Sequence, residues 1–400
     1  MPKFQGKIEF PVTIELGRGL DNAIVNVTKI GYVDGEAGEL NYRGYMIGDL
    51  CRNSNYEEVS YLLFYGKLPN RAELTAFQTK LRGAMAIPAP VARLLETLPR
   101  DAHPMNLLQT SVAALACYDP DAQKIAEHTS DPAAGLDVER EVAIRVLAKV
   151  CTLGAGIARV LAGKKLVEPD PNYSFTDNYL YMMSGERPGD VMSKVMDVCL
   201  ILQADHGMNA STFTSMVVHS CLSDMYSTVA AAVGSLRGPL HGGANEAALD
   251  DLLEIGEPSK APAWVADKVA KHQKILGFVH RVYKAIDPRA VVLKGHAEAL
   301  CKAKGIEKLF EIATVVEREV VAAMEKQGKK IYPNVDFYSG LVYHALNFPP
   351  PLYPVIFAVS RTAGWVSRVL EYLPENRIFR PRAVYDGPVH VPYMPMAQRG

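Results

Sequence analysis

The sequence predicts an all-α protein carrying a small N-terminal β-hairpin, and three observations support that reading. Apolar residues recur at helical spacing along most of the chain, most clearly over 306–327. There Ile306, Leu309, Phe310, Ala313, Val316, Val320 and Met324 make one stripe, closed by Gly328. Strict two-residue alternation is confined to the N-terminal region and ends near Tyr42. The length of 400 residues is enough to bury roughly three quarters of the surface of an extended chain, which gives a large core and two domains.

Taken in order, residues 7–15 alternate Ile8, Phe10, Val12 and Ile14 against polar or proline neighbours, the period of a half-buried strand. Val25, Val27 and the Asp34-Gly35 pair continue this as a hairpin. At Asn70 the pattern turns helical: Asn70 caps, Glu73 follows three residues later, and Leu74, Phe77 and Leu81 share a face. Residues 119–137, with Asp119, Pro120, Asp121, Asp131, Pro132 and Gly135, read as a polar connection. Helical stretches follow at 138–152, 190–204, 224–233, 247–255, 288–303 and 356–373. Phe337 to Ser360 holds no Asp, Glu, Lys or Arg, but prolines 349, 350, 351 and 354 interrupt it. It therefore reads as two buried helices joined by a proline-rich turn, not as a membrane span.

Composition narrows the function. With 43 Lys+Arg against 44 Asp+Glu and a net charge of -1, nothing favours nucleic acid or an anionic membrane as a partner. Hydrophobic content of 48% with 22% charged residues excludes disordered and collagenous classes. The six cysteines, at 51, 117, 151, 199, 221 and 301, form no CxxC and no zinc-site spacing, so they read as buried thiols of a reducing cytoplasm, with no metal. The start, MPKFQGKIEF, has no apolar stretch of the secretory kind. Gly154-Ala155-Gly156-Ile157-Ala158-Arg159 resembles the opening of a dinucleotide loop, but Arg159 replaces the third glycine and the context is helical. No Walker loop, GxSxG elbow or HExxH is present.

Four segments set reactive side chains beside glycines or at helix starts. In Gly238–Asn245, Asn245 reads as the cap of a helix beginning near Glu246, which puts His241 close to a helix N-terminus. The positive end of the dipole disfavours imidazolium and leaves a neutral ring that donates one hydrogen bond. The competing reading is a loop histidine bonded to backbone. Asp287-Pro288-Arg289 reads as a cap, a first-position proline and an arginine in the first turn, where its fork of donors suits a carboxylate ligand, the ordinary alternative being a surface ion pair. Asp336, between Val335 and Phe337, is either the N-cap of the helix that follows or a partly desolvated base facing a cleft. Arg361 interrupts an apolar helix, and a buried arginine needs an anionic partner, whether protein or ligand.

Together LQADHGMNASTF (202–213), RGPLHGGANEA (237–247), GFVHRVYKAIDPRA (277–290), PNVDFYSGL (333–341), SRTAGW (360–365) and RPRAVYDG (380–387) resemble the citrate synthase family in order and spacing. The resemblance runs from about Asn26, through YRGY at 42–45 and HPM at 103–105, to about Gly387. It implies that Asp336 removes a proton from the methyl of an acyl-CoA while His241 hydrogen-bonds the thioester oxygen. His280 then polarises and protonates the ketone of oxaloacetate, and water releases CoA. It further implies that His206, Arg289 and Arg361 surround the oxaloacetate carboxylates, with Arg380 supplied by the neighbouring subunit. Ile275, Leu276, Gly277, Phe278, Val279 and Lys284 are the implied contacts of the CoA portion. No metal or other cofactor is implied.

The family usually has glycine at the position of Val279, and often histidine and glutamate at those of Gln203 and Gly207. If that glycine has positive φ, Val279 shifts the loop or carries strain, which bears on CoA affinity. The implied architecture is citrate-synthase-like: a large helical domain from 1–242 and 348–400, a small one from 243–347, and a homodimer or larger homo-oligomer. Two alternatives accompany this reading, a 2-methylcitrate synthase acting on propionyl-CoA and a CoA- or dicarboxylate-binding regulator that has lost catalysis. The citrate-synthase-like part of ATP-citrate lyase fits less well, because the chain lacks a nucleotide-dependent ligase portion.

Overall fold

The computed structural model describes residues 18–20, 23–242, 244–278, 283–383 and 385–399. The strand expected over 7–15 lies outside them, as do Val279 and His280. The hairpin forms from β1 (Gly31–Asp34) and β2 (Glu39–Tyr42), antiparallel with Gly31 opposite Tyr42, and β3 (Tyr45–Met46) adds a short third strand. Asp34 shapes the turn by accepting the backbone N–H groups of Glu36 and Ala37 at 3.0 and 2.9 Å. Val25 and Val27 belong to no strand; Val27 is exposed, with no second strand or core beside it.

Helices make up the rest. The first group is α1 (Ile47–Asn53), α2 (Tyr56–Tyr65), α3 (Arg71–Gly83), α4 (Ala89–Thr97), α5 (Pro104–Leu115) and α6 (Leu136–Leu161). Next come α7 (Phe175–Ser184), α8 (Asp190–Gln203), α9 (Ala210–His219) and α10 (Met225–Leu236). The last group is α11 (Ala244–Ile255), α12 (Ala261–Ala270), α13 (Pro288–Lys304), α14 (Glu307–Glu325), α15 (Val335–Ala345) and α16 (Tyr353–Tyr372). Caps explain several starts: Asn70 and Glu73 form the expected capping box on α3, and Asp224 caps α10. Asp287 caps α13 with Pro288 at its first position, also as expected.

Other expectations need correction. The connection over 119–137 contains two 3-10 turns, Lys124–His128 and Pro132–Gly135, and Arg145 clamps its start by pairing with Asp119 and Asp121. Helix α6 runs nine residues beyond the expected end at 152, straight through Gly154 and Gly156. A Cβ on Gly154 would lie 2.7 Å from Val359 Cγ2, so the glycine serves close packing of α6 on α16 and not nucleotide binding. Cys51, Cys151, Cys199 and Cys301 are buried, but Cys117 and Cys221, both beyond helix ends, are exposed.

Helix α16 is the axis of the core: every residue from Tyr353 to Leu370 is buried, and α2, α6, α8, α9 and α10 pack around it. The proline turn Pro350–Leu352 separates it from α15, as the sequence predicts, and no helix among the described residues is long and apolar enough to cross a membrane. Helices α11 and α13 pack on α15, and α14 packs on α11 and α13 and reaches α15 through the Tyr338–Glu317 hydrogen bond. The segment carrying Asp336 is therefore held by a different set of helices from the segment carrying Arg361.

One buried pair of titratable groups is not part of this arrangement. Glu139 on α6 is fully enclosed, neither carboxylate oxygen has a hydrogen-bond partner, and His219 Nε2 stands 3.9 Å away, also unpartnered. Burial, reinforced by Asp224 and Asp119 against the weaker pull of Arg145, raises the Glu139 pKa to about 8, while burial lowers that of His219 to about 4. Both groups are uncharged at neutral pH. Because folded Glu139 keeps a proton that the unfolded chain releases above its ordinary value of 4.5, it removes about 1.4 kcal/mol of stability per pH unit up to the folded pKa. Glu139→Gln is expected to abolish that slope. In urea unfolding the variant gains on the native protein from pH 5 to pH 8, and a difference that stays constant across this range refutes the assignment.

Candidate active site

Three elements meet at the floor of the site: the end of α8, the middle of α16 and the hairpin. Gly364 lets α16 cross the chain after α8 at contact distance; a Cβ there would lie 2.2 Å from Ala204 O. This crossing brings Arg368 to Asp205, both fully buried, with Nε–Oδ1 at 3.0 Å and Nη2–Oδ2 at 2.7 Å. Tyr42, from β2, donates to the Asp205 carbonyl at 2.8 Å and receives the Asp205 N–H at 3.2 Å.

Arg361, one face along α16, is 1% exposed. Its Nε donates to Gln203 O at 2.5 Å, its guanidinium covers the Phe357 ring at 4.6 Å, and no carboxylate of the described residues lies within ion-pair distance. Burial lowers its pKa to about 10, with Arg289 and Arg368 adding repulsion and Asp205 opposing. The anion that a buried arginine requires is thus not supplied by this chain's described residues.

Arg289 is buried as well and is gripped by its own cap residue: Asp287 Oδ1 accepts Arg289 N and Nε at 2.9 and 3.0 Å, and Oδ2 accepts Nη2 at 2.8 Å. Burial works against the charge, but Asp287 overrides it and holds the guanidinium above its ordinary range. Asp287 Oδ2 also accepts Val335 N at 3.2 Å, tying Arg289 to the first residue of α15. His206 shares a 3.1 Å hydrogen bond with Tyr283, whose ring lies 5.8 Å from the Arg289 guanidinium.

Asp336 is not the N-cap of α15. Asn334 takes that role, accepting Asp336 N at 2.9 Å, and so leaves the Asp336 carboxylate free for another task. The carboxylate retains some solvent contact yet is surrounded by protein, and burial raises its pKa to about 6, against the pull of Arg289 and with a push from Asp287. His241 precedes α11 by three residues; the helix starts at Ala244, so Asn245 lies inside it and bonds Glu246 N from there, not from the cap.

Ser211, at the start of α9, sets the His241 tautomer. Its Oγ lies 2.8 Å from His241 Nε2, and its backbone N–H points at the same nitrogen at 3.4 Å. The hydroxyl is also 2.8 Å from Asn209 Oδ1 and accepts Trp365 Nε1–H at 3.1 Å. A backbone N–H only donates, so Nε2 is the acceptor and the ring proton resides on Nδ1. Burial, then the charge of Arg361, lowers the His241 pKa to about 4. The ring is therefore neutral with one remaining donor.

The structure thus gathers His241, Asp336, His206, Arg289 and Arg361. Phe278 bridges to Pro333 and meets the Phe337 ring edge-to-face with centroids 4.7 Å apart, and Gly277 O accepts Asn334 N at 2.8 Å. These contacts lay the segment holding Ile275, Leu276, Gly277 and Phe278 against the start of α15. Lys284 reaches instead to Glu36 on the hairpin turn. Arg380 stays outside the cluster, exposed, on a segment anchored by Asn376 and Phe379 to Ser220. Sequence reasoning missed Ser211, Trp365, Asp205, Arg368 and Tyr283 as site residues; all but Arg368 lie within the quoted motifs, but their partners are far off in sequence.

The sequence model described as "Citrate synthase, C-terminal domain" matches residues 19–382. The chain is 41% identical over 387 residues to a citrate synthase of Haloferax volcanii, covering 96% of this chain and 99% of that one. Among solved structures, the citrate synthase of Pyrobaculum aerophilum superposes with a TM-score of 0.92 at 40% identity, covering 99% of this chain and all of that one. A Thermoplasma acidophilum citrate synthase, solved as a ternary complex with carboxymethyl coenzyme A and oxaloacetate, gives 0.88 at 35% identity, covering 97% and 100%.

The floor makes a direct stability prediction. Asp205→Asn keeps the shape but strands Arg368 without its charge partner, at an expected cost of about 3–5 kcal/mol. Denaturant unfolding measures it, and a loss under about 1 kcal/mol would show that the pair does not hold the floor.

Proposed function

Because the chain belongs to the citrate synthase family, we infer that it condenses acetyl-CoA with oxaloacetate and hydrolyses the citryl thioester to citrate and CoA. The observation that carries this reading is the pairing of a desolvated carboxylate, Asp336, with a neutral, proton-donating His241 beside arginines that exceed their paired carboxylates. Asp336 takes a proton from the acetyl methyl group. His241 Nδ1–H stabilises the charge that develops on the thioester oxygen, and the resulting enol attacks the oxaloacetate ketone. Arg361 and Arg289, with His206, orient the oxaloacetate carboxylates, and planar guanidinium forks fix that orientation better than ammonium groups would. His280 is assigned to the ketone oxygen by the family resemblance. The reading gives each oxygen that gains charge a donor from the chain, His241 or His280, and assigns no metal or cofactor.

Asp336→Asn keeps the shape and removes the base. Turnover is expected to fall at least about a hundredfold while oxaloacetate binding stays nearly intact. In the native enzyme the acid limb of kcat/KM for acetyl-CoA should lie near pH 6, the value to which Asp336 is raised. Below it activity falls about tenfold per pH unit as the base is protonated. Near-normal turnover of the variant, measured by thiol release, would remove Asp336 from the chemistry.

Two further parts of the proposal concern assembly and place. The large domain comprises 1–242 and 348–400 and the small one 243–347, and their closure brings Asp336 to substrates held by Arg361. The unit is a homodimer with Arg380 acting in the partner's site, a reading supported by the exposure of Arg380 and its separation from the cluster in its own chain. The proposed compartment is the cytoplasm, supported by cysteines that are all free thiols. The dimer is tested by refolding Arg380→Ala with Asp336→Asn. Random pairing makes about half the dimers mixed, each with one complete site, so about a quarter of native activity returns. No recovery means that Arg380 serves its own chain.

A further inference from the structure

The turn between β1 and β2 is joined to the segment ahead of α13. Gly35 O accepts the backbone N–H groups of Lys284 and Ala285 at 2.8 and 3.2 Å, and Glu36 pairs with the Lys284 ammonium. A cavity of about 600 Å³ opens at this junction, lined by Glu36, Lys284, Lys330 and Tyr332 among others. A second, of about 70 Å³, shares Lys330 and Tyr332 and reaches inward to Asp287 and Asn334. Asn334 caps α15 two residues before Asp336. The inner cavity thus ends at the residue that caps α15, and the outer one holds two lysines.

We propose that Glu36 is an anionic placeholder for the phosphates of the acyl-CoA substrate: it holds Lys284 until the phosphates, drawn also by Lys330, displace it. This rests on the acyl-CoA reading above. An acyl-CoA suits two adjoining cavities of this kind, with a thin uncharged arm behind its thioester and a polyanion at its far end. Lys330 has no carboxylate within ion-pair distance among the described residues, so its charge is available. The Glu36–Lys284 pair is weakly held, with side chains 73% and 75% exposed, and such pairs contribute little. A phosphate, with more charge and more acceptor oxygens, outcompetes a carboxylate for the same ammonium. Once displaced, Glu36 remains beside the phosphates and repels them, so it sets an upper bound on CoA affinity. The same exchange releases one of the three bonds between the hairpin turn and the segment at Lys284.

The test compares CoA with pantetheine, which carries the same thiol arm without phosphates, by calorimetric titration of the full chain with oxaloacetate present. At low ionic strength Glu36→Gln should bind CoA about threefold tighter and Lys330→Gln about tenfold weaker, with both differences shrinking in high salt. Pantetheine affinity should be the same for all three proteins. Unchanged or weaker CoA binding by Glu36→Gln overturns the proposal, as does an equal loss of CoA and pantetheine affinity in Lys330→Gln. Citrate formation is scored separately. The expected CoA shifts without citrate formation would remove the synthase reading and leave the placeholder standing. Citrate formation with CoA affinity indifferent to both substitutions would overturn the placeholder alone.

Discussion

Among the described residues three buried guanidinium groups, of Arg289, Arg361 and Arg368, meet two carboxylates that pair with them, and the site follows from that imbalance. Asp205 neutralises Arg368, and Asp287 neutralises Arg289, each through two bonds. Arg361 receives, among the described residues, a backbone carbonyl from Gln203 and no carboxylate. Uncompensated charge in a protein interior is costly unless a ligand or solvent answers it, so the fold is built around a place for anions. The same field reaches the neighbouring groups. It reinforces burial in keeping His241 uncharged, and it opposes burial at Asp336, leaving that carboxylate near pH 6. An acid that ionises just below neutrality beside a neutral imidazole is a combination that neither residue has alone.

The surrounding helices keep these charges where they act. Helix α16 contributes Phe357, Arg361, Gly364, Trp365 and Arg368, so one buried rod positions the anion site, the close crossing over Ala204 and the donor that fixes Ser211. Ser211 in turn fixes the His241 tautomer. On the other side, Asp287 joins the caps of two helices: it starts α13 and accepts the first N–H of α15. Arg289 and the proposed base are thereby held in register by a single side chain, although they are far apart in sequence.

The sequence by itself determined the class of fold and pointed to His241, Asp336, His206, Arg289 and Arg361, which the structure gathers, because those readings depend on local periodicity, caps and short motifs. The capping box at Asn70, the Asp287-Pro288 start and the proline break before α16 follow from backbone sterics and hydrogen bonding within a few residues. Only the tertiary structure decided what those residues do to one another. That Asp336 is relieved of capping by Asn334, that Asn245 lies inside its helix, and that Gly154 packs against Val359 depend on which elements approach. The roles of Ser211, Asp205 and Arg368 depend on contacts across more than 150 residues for two of the three bonds that define them. Burial, which sets the pKa of His241, Asp336 and Glu139, is a property of the packed interior, and no local pattern in the chain encodes it.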